Sequence, residues 1–334
     1  MEQEKRRPWR RWVVLVLMIV GFVVGGIFVP VQPEISVKAE NLLGEGATIF
    51  GVPAVNTLPT LFVTIFFVIL PLAWATRNSL KKSAETDLVP RGVGNVMEAF
   101  LELLYNLTEG SAGSKWAKTI FPWFATIMLY VLIANLLKLI PGFESIGVLH
   151  PAAGEGHTIA PLFGNWSMLL PDKAEGTGYI LAPFFRGISV DLNFTASLAL
   201  IAVVMIQVVG FKAQGWGYLS KFFNTRTMFK TPFFGAMDFL VGLLELISEL
   251  SKILSFAFRL FGNMFAGVVL VAIVAGLLGR ISILPSMIMM FELFVGIIQA
   301  FVFGMLTMVF MAQATQGHGH EEEHAEAHSE VHEI

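Results

Sequence analysis

Residues 234 to 279 read FGAMDFLVGLLELISELSKILSFAFRLFGNMFAGVVLVAIVAGLLG, more than forty residues without a proline. At 1.5 Å per residue such a helix measures roughly 65 Å, about twice the hydrocarbon thickness of a bilayer. An upright span cannot accommodate it, so the helix must be steeply tilted, partly interfacial or broken. A short turn, Arg280 to Pro285, leads to a second over-long run, Ser286 to Ala312. The two read as a hairpin of long tilted helices.

The rest of the chain supports a membrane setting. Of its 334 residues 55% are hydrophobic and only 14% charged, with a mean hydropathy of +0.70. A soluble protein carries roughly a quarter charged residues. The apolar residues fall in long runs, and the alternating segments of about ten residues that mark a transmembrane barrel are not apparent. With no cysteine, disulfides, thiol catalysis and thiolate metal sites are excluded. No phosphate-cradling glycine loop or hydrolase nucleophile motif occurs, so no nucleotide site is expected.

Working outward, Trp12 to Val29 is an apolar run behind Lys5, Arg6, Arg7, Arg10 and Arg11. It reads either as a cleaved signal or as a retained first span with its N-terminus inside. Leu58 to Ala75 is a span interrupted by Pro71. Val93 to Leu107 is amphipathic and suits either an interfacial helix or one packed on a partner. Ile120 to Ile140 and Asn193 to Gly210 are further spans. The Gly- and Pro-rich stretch from Phe143 to Asp191 has few basic residues and is expected outside as a polar loop. The clusters Arg77, Lys81, Lys82, Arg91 and Lys212, Lys221, Arg226, Lys230 are expected inside. The predicted fold is an all-α polytopic membrane protein, with five to six spanning helices and one interfacial helix. Its segments are 1–57, a membrane domain over 58–312, and a tail over 313–334. In the tail His318, His320, His324, His328 and His332 stand among glutamates, suiting either a metal or a solvated disordered segment.

Polar residues in the last hairpin are the candidate site. Asp238, Glu245, Glu249, Lys252 and Arg259 lie in the first helix, and Glu292 and Gln299 in the second. A charge at bilayer depth costs about 2.5–3.5 kcal/mol on insertion scales, and such residues commonly mark ion pathways. Asp238 and Lys252 also suit salt bridges or side chains that snorkel to the interface. Arg259 sits mid-run. Glu245 and Arg259, nearly four turns apart, share a face, as do Arg259 and Asn263, and Glu292 and Gln299. Antiparallel pairing is expected to bring Gln299 near Arg259, with Glu292 toward the outer side and Glu245 and Glu249 toward the inner. Two water inlets that do not meet, with an arginine between them, pass a proton only when it rides on a moving carboxylate.

Ser255-Phe-Ala-Phe-Arg259-Leu-Phe-Gly-Asn263-Met264 resembles the arginine motif of subunit a of F-type ATP synthases. Gln299-Ala-Phe-Val-Phe with Leu306-Thr307, Asp191-Leu-Asn-Phe-Thr195 and Asn135-Leu-Leu resemble other segments of that family, in the same order, over about Leu58 to Ala312. The resemblance implies that Arg259 is the essential arginine facing a rotor-ring carboxylate, with Glu245 on the cytoplasmic access path. Asn263 and Gln299 match polar neighbours of that arginine, and Glu292 a position held by His or Glu. Val268 stands where some members carry an acid, which leaves Glu292 as the expected acid of the outer path. The implied partners are a c-subunit ring, the b subunits of a peripheral stalk, the remaining ATP synthase subunits and the bilayer. Neither nucleic acid, cofactor nor metal is expected. The implied location is a multi-pass place in the cell inner membrane, with a cytoplasmic C-terminus. A secondary transporter and a purely structural membrane subunit are the alternatives; the first usually shows internal repeats, which are not evident here.

Overall fold

The computed structural model describes residues 12, 13, 16, 36–44, 47–49, 51–86, 93–140, 142–152, 154–176, 178–222, 232–278 and 284–316. The remaining residues, with most of the first apolar run, the loop basic residues Arg91, Arg226 and Lys230, the turn at Arg280 and the His/Glu tail, lie outside that description. Five described helical runs are long and apolar enough to cross a bilayer: Thr57–Ser79, Gly94–Leu137, Leu192–Leu219, Phe239–Leu277 and Leu284–Thr315. The chain is thus a mostly helical, polytopic membrane protein. Its residues form two compact units. One gathers Met1–Asn56, Pro141–Arg186 and Phe265–Glu292, the other Thr57–Ile140, Gly187–Met264 and Leu293–Ile334.

In the larger unit, helix α1 (Thr57–Phe62) passes through a π-helical stretch (Val63–Ile69) into α2 (Leu70–Thr86). Pro71 explains the widening. It lacks an N–H, and its ring crowds the carbonyl four residues back. The backbone relaxes just before it, where the Leu70 N–H bonds to the Ile65 carbonyl. Helix α3 (Val93–Leu137) joins the amphipathic segment and the following span that the sequence separates. The break between them is a single residue, Gly113, at φ 72° and ψ 162°. Only glycine takes that conformation readily, so the kink falls there. The helix stops at Leu137, three residues before the expected end. Its last carbonyls are taken up by tighter bonds from the N–H groups of Leu139 and Ile140.

Helix α4 (Leu192–Gln214) is capped by Asp191, whose Oδ1 accepts the Asn193 N–H at 2.9 Å. The other oxygen of Asp191 accepts the Thr57 hydroxyl at 2.9 Å, which ties the start of α1 to the start of α4. Helices α5 (Pro232–Leu278) and α6 (Leu284–Thr315) are the long pair expected from the sequence. Helices α3 and α6 approach closely along a ridge of small residues, Gly296, Ala300 and Gly304, spaced four apart on one face of α6. The Asn135 side chain donates to the Gly296 carbonyl at 3.0 Å. A Cβ at Gly304 would stand 2.8 Å from Met128 Cβ and 3.0 Å from the Phe124 ring. Phe124, Val131, Ile206, Leu260, Phe303, Met308 and Met311 fill the buried centre of this unit.

The smaller unit departs from the expected polar loop. Residues 147–183 form a four-stranded antiparallel sheet of β3 (Gly147–Pro151), β4 (Glu155–Phe163), β5 (Trp166–Glu175) and β6 (Tyr179–Pro183), in the order β3-β6-β4-β5. A short hairpin, β1 (Thr48–Ile49) and β2 (Val52–Pro53), precedes it in the chain. Arg186 donates to the backbone carbonyls of Ser36 and Lys38 and so holds the 36–38 segment. Gly- and Pro-rich composition reads as loop, but Pro151 and Pro183 stand at strand ends, Pro171 on the edge strand β5, and Pro161 where β4 pairs with β5 alone among the described residues.

The close α3–α6 contact generates a prediction. Gly304→Leu overpacks the seam and should lower stability by about 1–3 kcal/mol. A thermal melt of the purified protein should show a lower midpoint, while Ile297→Leu, at an exposed position of α6, should leave it unchanged.

Candidate functional site

Arg259 is half-buried on α5, and its neighbours decide what it can do. The buried stripe of α5, Phe256, Ala257, Leu260 and Met264, faces the bundle. Leu244, Ile247, Leu250, Leu254 and Phe258 are exposed, so much of the helix presents an apolar, uncovered surface. Arg259 sits at the edge of that surface in line with Ser255 and Asn263, one turn on either side, both exposed. Among the described residues its guanidinium makes one hydrogen bond, a long one of 3.4 Å to Ser255 Oγ. No carboxylate among those residues forms an ion pair with it.

The register of α5 against α6 is set by aromatic contacts. The rings of Phe256 and Phe303 lie 5.1 Å apart, and those of Phe256 and Phe310 5.9 Å apart. Antiparallel pairing through these contacts brings Gln299, a buried residue, to the level of Arg259. Among the described residues no hydrogen bond joins the two.

Glu249 and Glu245 have different surroundings although they are one turn apart. Glu245 is half-buried. Glu249 is 6% exposed and both its oxygens accept hydrogen bonds. Gln207 Nε2 of α4 donates to one at 2.9 Å, and Lys252 Nζ to the other at 2.9 Å. The Tyr218 hydroxyl donates to Gln207 Oε1 at 2.7 Å, and Tyr218 itself packs on Gly210. Lys252 also lies over the Phe310 ring, 4.7 Å from its centre. The result is a closed polar cluster linking α4, α5 and α6, and it assigns Lys252 to a salt bridge.

In the smaller unit, Glu292 of α6 is 8% exposed. Its Oε1 fills the space that a side chain on Gly267 of α5 would take, since a Cβ there would stand 2.0 Å from it. Glycine at 267 therefore makes room for the carboxylate. No cluster of three or more metal-ligating side chains occurs among the described residues, and the His/Glu tail lies outside them. The side chain of Asp238 is also outside the description.

Sequence reasoning missed Gln207, Tyr218 and Gly267, and quoted Asn135 and Ser255 only as parts of motifs, with no role of their own. Gln207 carried a signal, being a lone amide in the apolar run from Leu198 to Val209. Lys138 is a further missed cation, reaching the Met264 carbonyl at 3.5 Å. The Gln207 cluster yields a prediction. Gln207→Leu strips a donor from buried Glu249 and an acceptor from Tyr218, a loss of about 1–3 kcal/mol per orphaned group. Thermal melts should show a larger drop for Gln207→Leu than for Tyr218→Phe, which removes one hydroxyl and keeps the ring on Gly210.

Residues 58–312 match the family described as ATP synthase A chain. The ATP synthase subunit a of Helicobacter pylori strain Shi470 is 31% identical over 261 residues, covering 77% of this chain and 92% of that protein. That of Helicobacter acinonychis strain Sheeba is also 31% identical, with the same coverage. That of Legionella pneumophila strain Paris is 29% identical over 278 residues, or 81% of this chain and 91% of the relative. With most of its length matched, Arg259 and the helices around it included, the chain belongs to the ATP synthase A chain family.

Proposed function

We propose that this chain is the stator part of the membrane sector of an F-type ATP synthase, passing protons to and from the carboxylates of a rotating c-subunit ring through two offset aqueous half-channels. Arg259 separates the two. The observation that carries this reading is the guanidinium itself: it lies at the edge of an uncovered apolar face and donates one weak hydrogen bond to a neutral hydroxyl. A guanidinium stays protonated at any physiological pH. At bilayer depth such a charge needs a partner. With no such ion pair among the described residues, the counter-charge comes from outside them, and a carboxylate presented by a passing subunit supplies it.

The same charge sets the protonation state of the carboxylate that passes it. It attracts the ionised form of the ring carboxylate and disfavours the neutral form. A proton arriving on the ring is therefore released before the carboxylate passes Arg259, and a fresh one is taken up after it. The fixed cation also blocks a proton from crossing directly between the inlets. Each charge that crosses 100 mV releases about 2.3 kcal/mol, so several crossings supply the work of rotation.

The other residues take places around this point. Glu245 lines the inner inlet, and Glu249 stands at its blind end, held by Gln207 and Lys252. Glu292, in the space left by Gly267, is the acid of the outer inlet. Asn263 and Gln299 are the polar neighbours at the level of Arg259. The exposed face of α5 is the surface swept by the ring, and peripheral-stalk b subunits hold the chain against the torque. The complex sits in the cell inner membrane with the C-terminal tail in the cytoplasm.

Substitution tests the reading. Arg259→Ala should assemble into the complex and lose ATP-driven proton pumping, measured by quenching of a pH-sensitive dye in inverted vesicles. Normal coupled pumping would remove the proposal, and failure to assemble would point to a structural role. Gly267→Val, which crowds the Glu292 carboxylate, should assemble and slow pumping several-fold.

A further inference from the structure

The β4–β5 hairpin extends beyond its own sheet. Among the described residues strand β6 pairs with β4 only at His157, opposite Tyr179. From Ile159 to Leu170 the two strands pair with each other alone among the described residues, through Ile159–Leu169, Ala160–Met168, Pro161–Ser167 and Phe163–Trp166. A two-residue turn, Gly164–Asn165, closes the ribbon, with Gly164 at φ 57°.

Its composition changes sharply along its length. The base carries Glu155, His157, Asp172, Lys173 and Glu175, while residues 159–170 carry no charge at all. Leu162 is 60% exposed, Phe163 72% and Trp166 55%, and the Phe163 and Trp166 rings stack 6.3 Å apart. Apolar side chains occupy both faces, because Ile159 and Leu169 share one and Ala160 and Met168 the other. A strand that docks on a protein surface shows one apolar face and one polar face. A two-stranded ribbon apolar on both sides has no face fit for water, and by itself it is at best marginally stable there.

We propose that the tip of this hairpin, Leu162 to Trp166, is seated in the lipid–water interface of the bilayer and anchors the sheet to the membrane surface. Chain connectivity favours lipid as the occupant. Nine residues lie between Leu137, the end of α3, and β3, and eight between β6 and α4, both helices apolar and long enough to span. The chemistry fits the interface in particular. Tryptophan collects at headgroup level, where its ring is buried and its N–H stays wet. The unpaired outer edges of β4 and β5 exclude deeper entry, since backbone groups without partners are not tolerated in hydrocarbon. The uncharged tip means that the seat does not depend on anionic lipid. This inference stands apart from the proton-path reading, and its test uses neither pumping nor the ring.

The chain contains no cysteine, so one introduced thiol gives a unique label. The full chain carrying Asn165→Cys is labelled with an environment-sensitive nitrobenzoxadiazole dye and reconstituted in phosphatidylcholine vesicles. Asp172→Cys, at the exposed base of the ribbon, is the control. We expect blue-shifted emission at 165, quenched several-fold more by a nitroxide lipid labelled near the headgroup than by one labelled near the acyl-chain end, and little by aqueous iodide. The label at 172 should respond to iodide. Adding Phe163→Ser and Trp166→Ser should move the 165 label to the iodide-sensitive class. Iodide quenching at 165 with no response to nitroxide lipid would overturn the proposal. Protection from both quenchers would also overturn it, assigning the tip to a protein contact.

Discussion

A positive charge midway along an apolar helix long enough to span a membrane, without an ion-pair partner among the described residues of its own chain, is the constraint from which the reading of this protein follows. Arg259 has Ser255 Oγ at 3.4 Å and an apolar exposed surface beside it. Lys252, seven residues earlier on the same helix, shows the contrast. Its ammonium is neutralised by Glu249 and covered by the Phe310 ring. One helix thus carries a cation that is satisfied internally and a cation with no ion pair among the described residues. The first kind holds a fold together. The second kind is costly to keep and is usually retained for what it does.

The surrounding structure keeps that arginine in place. The ridge of Gly296, Ala300 and Gly304 brings α6 against α3, and Asn135 bonds across the seam to the Gly296 carbonyl. In a bilayer helices gain little from hydrophobic burial against each other, so close backbone approach and interhelical hydrogen bonds carry the association. The Phe256–Phe303 contact then sets α5 against α6 one turn from Arg259. On the other side, Gln207 and Tyr218 fasten α4 to α5 through Glu249. Asp191, capping α4 and bonding Thr57, secures the opposite end of α4. The guanidinium is mounted on a helix braced by both neighbours and left bare on its remaining face.

Much of this was legible in the sequence because bilayer thickness is a hard ruler. The excess length of the two last helices, the placing of Arg259 mid-run and its shared face with Asn263 all follow from residue spacing. Other features were not legible. The join of the amphipathic segment to the following span turns on Gly113 adopting a positive φ inside one helix, and glycine composition alone does not distinguish a kink from a loop. The sheet over residues 147–183 was hidden because its prolines and glycines are also loop residues, and strand pairing is a long-range property. Of the polar cluster, Glu249 was found by its charge, while Gln207 and Tyr218 depend on which helices become neighbours. Gly267 has no side chain to announce it; its role appears only when the Glu292 carboxylate fills the space beside it.

The central claim is that the uncovered face beside Arg259 meets the ring. Phe258 lies on that face next to the arginine, so disulfide formation between Phe258→Cys and a cysteine beside the ring carboxylate tests it in the assembled complex. Leu200, exposed on α4, supplies the comparison position. The account predicts a cross-link from position 258 to ring helices near the carboxylate and none from position 200. A ring that cross-links to position 200 and never to position 258 would contradict it.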